Sequence, residues 1–140
     1  PIDAHASSVI SPVDGTVSAL GPLHGDSLLQ AKGHRYSVKD LLVTDLEESS
    51  AYRDGRFATL YLAPYNYHRV HAPVAGELVA ARYVPGDLFS VNAATVRIIH
   101  GLFRRNERLV QHLDTAIGPV AVILVGALNV ESSYIIQISC

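Results

Sequence analysis

Two histidines three positions apart carry the most reactive chemistry in this sequence. His68 and His71 lie in the segment YLAPYNYHRVHAP, residues 61–73, which also contains three tyrosines and two prolines. Imidazole exchanges protons near neutral pH because its unperturbed pKa is about 6.5. The prolines disfavour a helix and favour an extended segment. On a strand, residues three apart face opposite sides, so we expect the two histidines to have different catalytic roles.

The same pair of histidines also has less reactive interpretations. A His-x-x-His metal site needs a helix or turn to bring the ligands together, and it needs a third ligand. The one cysteine of the sequence is at position 140, so we predict no metal site. A structural pair bonded to backbone groups stays open as the alternative to a catalytic pair.

Composition points to one folded domain, which we place at residues 1–140. The chain has 140 residues, 49% of them hydrophobic, and a formal net charge of −2. This charge offers no basic footprint for nucleic acid, so no nucleic-acid partner is expected. No apolar run approaches the roughly 18 residues of a membrane span.

The apolar pattern predicts an α+β fold dominated by β-structure, with barrel-like or sandwich-like antiparallel sheets and a few short flanking helices. A helix near 37–47 begins with a capping pattern at Ser37, and Asn92 is a good N-cap for one helix, or two broken at Gly101, over 93–105. Strands are predicted over 57–62, 75–84, 108–113 and 120–125. The last is unbroken apolar sequence, which is typical of a central strand covered on both faces.

Five ordered blocks, preceded by the acidic turn PVDG at 12–15, resemble the phosphatidylserine decarboxylase family over about residues 8 to 130. They are QAKGHRYS (30–37), YLAPYNYHRVH (61–71), YVPGDLFSVN (83–92), LFRRNER (102–108) and GPVAVILVGA (118–127). The resemblance implies conversion of phosphatidylserine to phosphatidylethanolamine and carbon dioxide, within phospholipid biosynthesis. It also implies a self-cleaving proenzyme whose small α chain carries a pyruvoyl group, made from a serine usually found in Leu-Gly-Ser-Thr. This chain would correspond to the larger β chain, located peripherally on the cytoplasmic face of the bacterial cell membrane, with a second copy of the chain as a candidate partner in a homodimer.

The resemblance assigns roles to individual residues. Self-cleavage needs a base to activate the serine, which gives His71 this role and Asp14 that of orienting it. His68 would position the substrate carboxylate or deliver a proton during decarboxylation. Weaker substrate-binding assignments fall on Tyr61, Tyr67 and Ser90, while Lys32 is a weak candidate for phosphate. Asn66 stands where many family members have aspartate, and for Asn92 we favour the helix cap over a headgroup contact.

The sequence departs from the family at its C-terminal end. None of its ten glycines precedes a serine, so the Gly-Ser bond that yields the pyruvoyl group is absent. Residues 131–140 form a divergent tail, in which Glu131-Ser132-Ser133 is a poor substitute because glycine leaves the attacked carbonyl uncrowded. We therefore expect a β-chain fragment that is inactive alone.

Two alternative functions remain open. The first is a phosphocarrier-like barrel-sandwich hybrid domain, since the stretches at 12–17 and 71–79 resemble its half-motifs. The second is an inactive remnant that binds lipid headgroups.

Overall fold

The computed structural model of the chain describes residues 3, 5, 8–29 and 34–128. Lys32 and the tail at 131–140 lie outside these residues. Within the described part there are seven strands and four short helices. The strands are β1 Thr16–Pro22, β2 Ser27–Leu29, β3 Arg35–Ser37, β4 Arg56–Tyr61, β5 Gly76–Val84, β6 Arg108–Thr115 and β7 Gly118–Val125; the helices are α1 Val38–Leu42, α2 Leu46–Ser50, α3 Ala93–Ile98 and α4 Leu102–Arg105.

The strands form three small antiparallel sheets. β1 pairs with β4, β2 pairs with β3, and the largest sheet has the order β5-β6-β7. The prediction of a β-dominated fold with antiparallel sheets and short helices is confirmed. None of the sheets formed by the described strands closes into a barrel.

β7 is covered on both faces, as its unbroken apolar sequence predicts. Val120 and Val122 join one apolar cluster, whereas Ala121, Ile123 and Val125 join the other. However, β7 is the last strand in the order of its sheet, so the prediction that it is central is wrong. Among the described residues, β7 pairs with β6 alone, and packed side chains cover its two faces.

The helices are shorter than the sequence pattern predicts. Val43 has a left-handed φ of 52°, which ends α1, and Asp45 then caps α2 by accepting a bond from Glu48 N–H. The region 93–105 divides at Gly101, whose φ is 66°, as the sequence allowed. Asn92 caps α3 through its Oδ1, which accepts bonds from the Ala94 and Thr95 amides, so the cap prediction is confirmed.

Candidate active site

The histidine segment, residues 62–75, is a loop between β4 and β5. A turn at its start is closed by the Ala63 N–H, which donates to Asn66 Oδ1 at 2.7 Å, and by the Asn66 N–H, which donates to the Ala63 carbonyl at 2.9 Å. Residues 62–75 contain no strand, so the prediction that the histidines lie on a strand is wrong. An aspartate at position 66 would accept the same bond, because the acceptor is a side-chain oxygen.

Two backbone hydrogen bonds tie this loop to residues 10–12. The His71 N–H donates to the Pro12 carbonyl at 2.9 Å, and the Ile10 N–H donates to the Pro73 carbonyl at 2.8 Å. The backbone of His71 is therefore fixed from outside its own loop. Asp14 follows two residues after this attachment point.

The turn that carries Asp14 packs against the end of β4. A Cβ on Gly15 would lie 2.7 Å from the Tyr61 carbonyl oxygen, so a side chain does not fit at position 15. Tyr61 pairs with Thr16 across the β1–β4 ladder. The fold thus brings Asp14, Tyr61 and His71, which the sequence singled out, into one region.

The side chains of Asp14 and His71 are not joined in this structure. Both residues are exposed, and no hydrogen bond or ion pair is recorded between the Asp14 carboxylate and the His71 ring. Their proximity in the fold rests on the backbone bond between His71 and Pro12.

The ring of His71 stacks on Tyr67. The two ring centroids are 5.9 Å apart and the planes are inclined by 11°. This lies within the usual range for an offset aromatic pair. The Tyr67 side chain, predicted as a substrate contact, is therefore engaged through its ring face.

His68 lies in a different environment from His71. Its Nε2 is 3.0 Å from the Pro64 carbonyl oxygen, and the residue is half-buried. A carbonyl oxygen can only accept, so Nε2 carries the proton in this contact. In the neutral ring, Nδ1 is then the nitrogen without a proton.

Ser90, the third predicted substrate contact, lies at the entry to α3. Its carbonyl accepts a hydrogen bond from the Thr95 hydroxyl, and the residue is half-buried. The segment is held in place by Asn106, a fully buried residue that sequence reasoning missed. Asn106 Nδ2 donates to the Phe89 and Gly126 carbonyls at 2.7 and 2.9 Å, and its Oδ1 accepts from the Phe89 N–H at 3.0 Å.

Arg108 is a second buried polar residue that sequence reasoning did not single out. Its guanidinium donates to four backbone carbonyls, those of Asp40, Leu41, Arg104 and Asn106. Burial is the main cause that lowers the pKa of Arg108 from its ordinary value, followed by the nearby charge of Arg104. The guanidinium joins β6 to the C-terminal ends of α1 and α4, where carbonyls lack helical partners. The LFRRNER sequence does not by itself predict that Asn106 and Arg108 hold backbone carbonyls together. Their burial in the folded chain shows it.

A third missed feature is the pair formed by Tyr52 and His112. The Tyr52 hydroxyl lies 2.7 Å from His112 Nδ1, whereas His112 Nε2 is buried with no hydrogen-bond partner among the residues that the structure describes. Burial raises the pKa of Tyr52 to about 12 and lowers that of His112. Both residues line a cavity of about 380 Å³, together with Glu48 and Arg82. Among the described residues, none that the sequence predicts as a site residue lines this cavity.

The described residues contain no group of three or more histidine, cysteine, aspartate or glutamate side chains that could hold a metal ion. Within the same residues, none of the helices is both long enough and apolar enough to cross a membrane.

Comparison with known proteins defines the class to which this fold and histidine loop belong. Residues 1–136 match the family model described as phosphatidylserine decarboxylase. The phosphatidylserine decarboxylase proenzyme of Saccharophagus degradans is 51% identical over 132 residues, covering 94% of this chain and 46% of the relative. The proenzymes of Shewanella sediminis and Shewanella baltica are 52% and 50% identical, covering 89% and 94% of this chain and 43% and 45% of the relatives.

The chain belongs to the phosphatidylserine decarboxylase family. It spans less than half the length of the curated relatives that it matches, between 43% and 46% in these three. The family match continues to residue 136, whereas the sequence blocks supported a resemblance to about residue 130. Ser132 and Ser133 therefore fall inside the matched range.

Proposed function

We propose that this chain is the β-chain portion of a phosphatidylserine decarboxylase, which converts phosphatidylserine to phosphatidylethanolamine and carbon dioxide. The observation that carries the proposal is the attachment of His71 to Pro12. This bond places a loop with two imidazoles beside the turn that bears Asp14. A carboxylate and two differently held imidazoles are the side chains that self-processing followed by decarboxylation requires.

In this proposal His71 is the base for self-cleavage. It removes the hydroxyl proton of the serine that attacks the preceding carbonyl carbon, and Asp14 orients the imidazole. The support is that His71 is exposed and that its backbone is fixed beside residues 10–12. Exposure leaves the ring accessible to a segment outside the described residues.

His68 serves the second reaction. We assign His68 to exchange a proton or to contact the substrate carboxylate, with its ring held at Nε2 by the Pro64 carbonyl. Loss of carbon dioxide leaves an electron pair on carbon, and that carbon must take up a proton to give the amine product. A half-buried imidazole is suited to deliver that proton without free access of bulk water.

The electron pair released by decarboxylation needs an acceptor that these side chains do not provide. A pyruvoyl carbonyl, expected from the α chain of the same proenzyme, supplies that electron sink when present. The residues of this chain fit such a neighbour, since His68 and His71 lie on one loop and their rings have different partners, the Pro64 carbonyl for His68 and the Tyr67 ring for His71. Their part is to hold and move protons beside the carbonyl.

The α chain also needs a surface on which to dock, and β5 is our candidate. Leu78, Val79 and Tyr83 expose 52%, 59% and 62% of their surface, although they lie on a sheet strand. β5 is the first strand in the order β5-β6-β7, so its outer edge is unpaired among the described strands. An apolar strand edge of this kind accepts a further strand readily. A second copy of the chain, forming a homodimer, is the competing occupant.

We further propose peripheral attachment to the cytoplasmic face of the bacterial cell membrane. The reason is the substrate, whose acyl chains stay in the bilayer while the serine headgroup reaches the site. Binding to vesicles that contain phosphatidylserine, measured by sedimentation, tests this part.

The proposed activity is tested with a chimera in which residues 8–128 of this chain replace the matching segment of the Saccharophagus degradans proenzyme. We expect the chimera to cleave itself and to form phosphatidylethanolamine from phosphatidylserine. A chimera that folds and cleaves but releases no carbon dioxide would contradict the proposal. The parent proenzyme, handled in parallel, is the positive control.

A further inference from the structure

We propose that Tyr67 is a positioning residue that holds the His71 imidazole through its ring face, and that its hydroxyl group has no part in this positioning. This inference rests on the proposed function, because it concerns the base for self-cleavage. The sequence-based assignment of Tyr67 as a substrate contact stays a prediction beside it.

The stack is the contact that fixes the His71 side chain. The His71 backbone is held by the Pro12 carbonyl, but this bond leaves rotation about the side-chain torsions free. Within the described residues, the ring of His71 has one recorded partner, the ring of Tyr67 at 5.9 Å and 11°. Backbone and side chain of His71 are therefore fixed by different neighbours.

The hydroxyl group of Tyr67, unlike its ring, has no recorded contact with His71 among the described residues. No hydrogen bond from the Tyr67 hydroxyl is recorded within the described residues, and the side chain is 50% exposed. Its neighbour Tyr65 is 90% exposed and has no recorded ring contact in this part of the chain. Tyr65 and Tyr67 are the same residue type on the same loop, but only Tyr67 stacks on His71 among the described residues. Tyr65 is therefore a matched control.

Holding the imidazole matters because an unrestrained ring spends much of its time in rotamers that cannot reach the serine hydroxyl. Stacked aromatic pairs are worth about three- to tenfold in an equilibrium between held and released states. Self-cleavage depends on the population of the aligned state, so its rate should fall by about the same factor when the ring is removed.

The test compares three variants of the chimera by the rate of self-cleavage. We expect Tyr67→Leu to slow cleavage about three- to tenfold, and Tyr67→Phe, which keeps the ring, to cleave at nearly the parent rate. Tyr65→Leu should also match the parent. If Tyr67→Phe is as slow as Tyr67→Leu, the hydroxyl group acts and the inference is wrong; if Tyr67→Leu cleaves at the parent rate, the stack has no role.

A second measurement uses the 140-residue chain and is independent of cleavage. The ring current of Tyr67 should shift the His71 imidazole protons in the nuclear magnetic resonance spectrum. We expect this shift to disappear in Tyr67→Leu and to persist in Tyr67→Phe and Tyr65→Leu. Unchanged His71 shifts in a folded Tyr67→Leu chain would overturn the inference.

His71→Ala separates failure of this inference from failure of the proposed function. If His71→Ala abolishes cleavage of the chimera while Tyr67→Leu does not slow it, only the positioning role is lost. If His71→Ala cleaves normally, the assigned base is wrong and the proposed function fails with it.

Discussion

The amide of His71 donates a hydrogen bond to the carbonyl of Pro12, although the two residues are far apart in the sequence. This bond relates the histidine loop to the turn that bears Asp14 without any contact between the Asp14 carboxylate and the imidazole. The backbone therefore brings the turn of Asp14 close to the histidine loop, and the orienting role of Asp14 is a prediction for the assembled enzyme.

We predict that Asp14→Asn in the chimera slows self-cleavage by about 10⁴-fold, the loss seen when a catalytic histidine loses its carboxylate. An amide keeps the size of the side chain but cannot stabilise the charged imidazolium. Asp54→Asn, an exposed aspartate in another turn, serves as the control and should leave the cleavage rate unchanged. Equal cleavage rates for Asp14→Asn and the parent would remove Asp14 from the site.

How far the sequence predicts this fold is clearest at β7 and the histidine loop. Unbroken β-branched residues predict a strand covered on both faces, and Val120 and Ile123 confirm it by packing into different clusters. The loop is different, because the proline-rich segment around His68 reads equally well as an extended strand. In the structure the segment begins with a turn, which the side-chain oxygen of Asn66 closes by accepting from the Ala63 N–H. The spacing of apolar residues in the sequence does not predict such a turn.

The residue types of the sequence predict the candidate site, but they do not predict Asn106 and Arg108, the buried residues that hold neighbouring segments together. Nothing in the local pattern marks Asn106 or Arg108 as buried, since asparagine and arginine are usually exposed. Their roles depend on carbonyls that distant elements bring together, which only the folded chain shows.

We predict that Asn106→Ala lowers the free energy of unfolding by about 3 kcal/mol or more, because each buried polar group left unpaired costs about 1–3 kcal/mol. The amide of Asn106 serves the Phe89 N–H and the carbonyls of Phe89 and Gly126. Urea unfolding of the chain measures the change. The matched control is Asn92→Ala, which removes an exposed helix cap and should cost about 1 kcal/mol. Similar losses for both variants would show that burial of Asn106 is unimportant.

We predict that the chain loses stability as the pH falls below about 6.5, the ordinary pKa of histidine. Burial, and then the charge of Arg82, lower the pKa of His112 in the folded state, while Glu48 acts in the opposite direction. The unfolded chain therefore binds this proton at higher pH than the folded chain does. The contribution of neutral His112 to the free energy of unfolding is complete above pH 6.5. It decreases as the pH falls towards the folded-state pKa of His112.

The comparison that isolates this effect is the melting temperature of the parent and of His112→Asn between pH 8 and pH 5. Asparagine offers Tyr52 an acceptor oxygen and does not titrate. The difference between the two melting curves should shrink as the pH falls, whereas a constant difference would exclude His112 as the cause.

We predict that the 140-residue chain alone does not decarboxylate phosphatidylserine. Its imidazoles move protons, but no side chain accepts the electron pair released with carbon dioxide. Because the sequence has no Gly-Ser bond, intact mass should match the unprocessed chain, and hydroxylamine should not modify it. A carbonyl adduct, or carbon dioxide release above that of a His68→Ala chain, would contradict this prediction.

The most direct test of the account is to separate the two reactions of the chimera by histidine substitution. Cleavage is read from the appearance of two chains on a denaturing gel, and turnover from release of carbon dioxide from carboxyl-labelled phosphatidylserine. We predict that His68→Ala cleaves normally but has lost turnover, and that His71→Ala does not cleave. Failed cleavage in His68→Ala, or normal cleavage in His71→Ala, would contradict the assignment of separate roles to the two imidazoles.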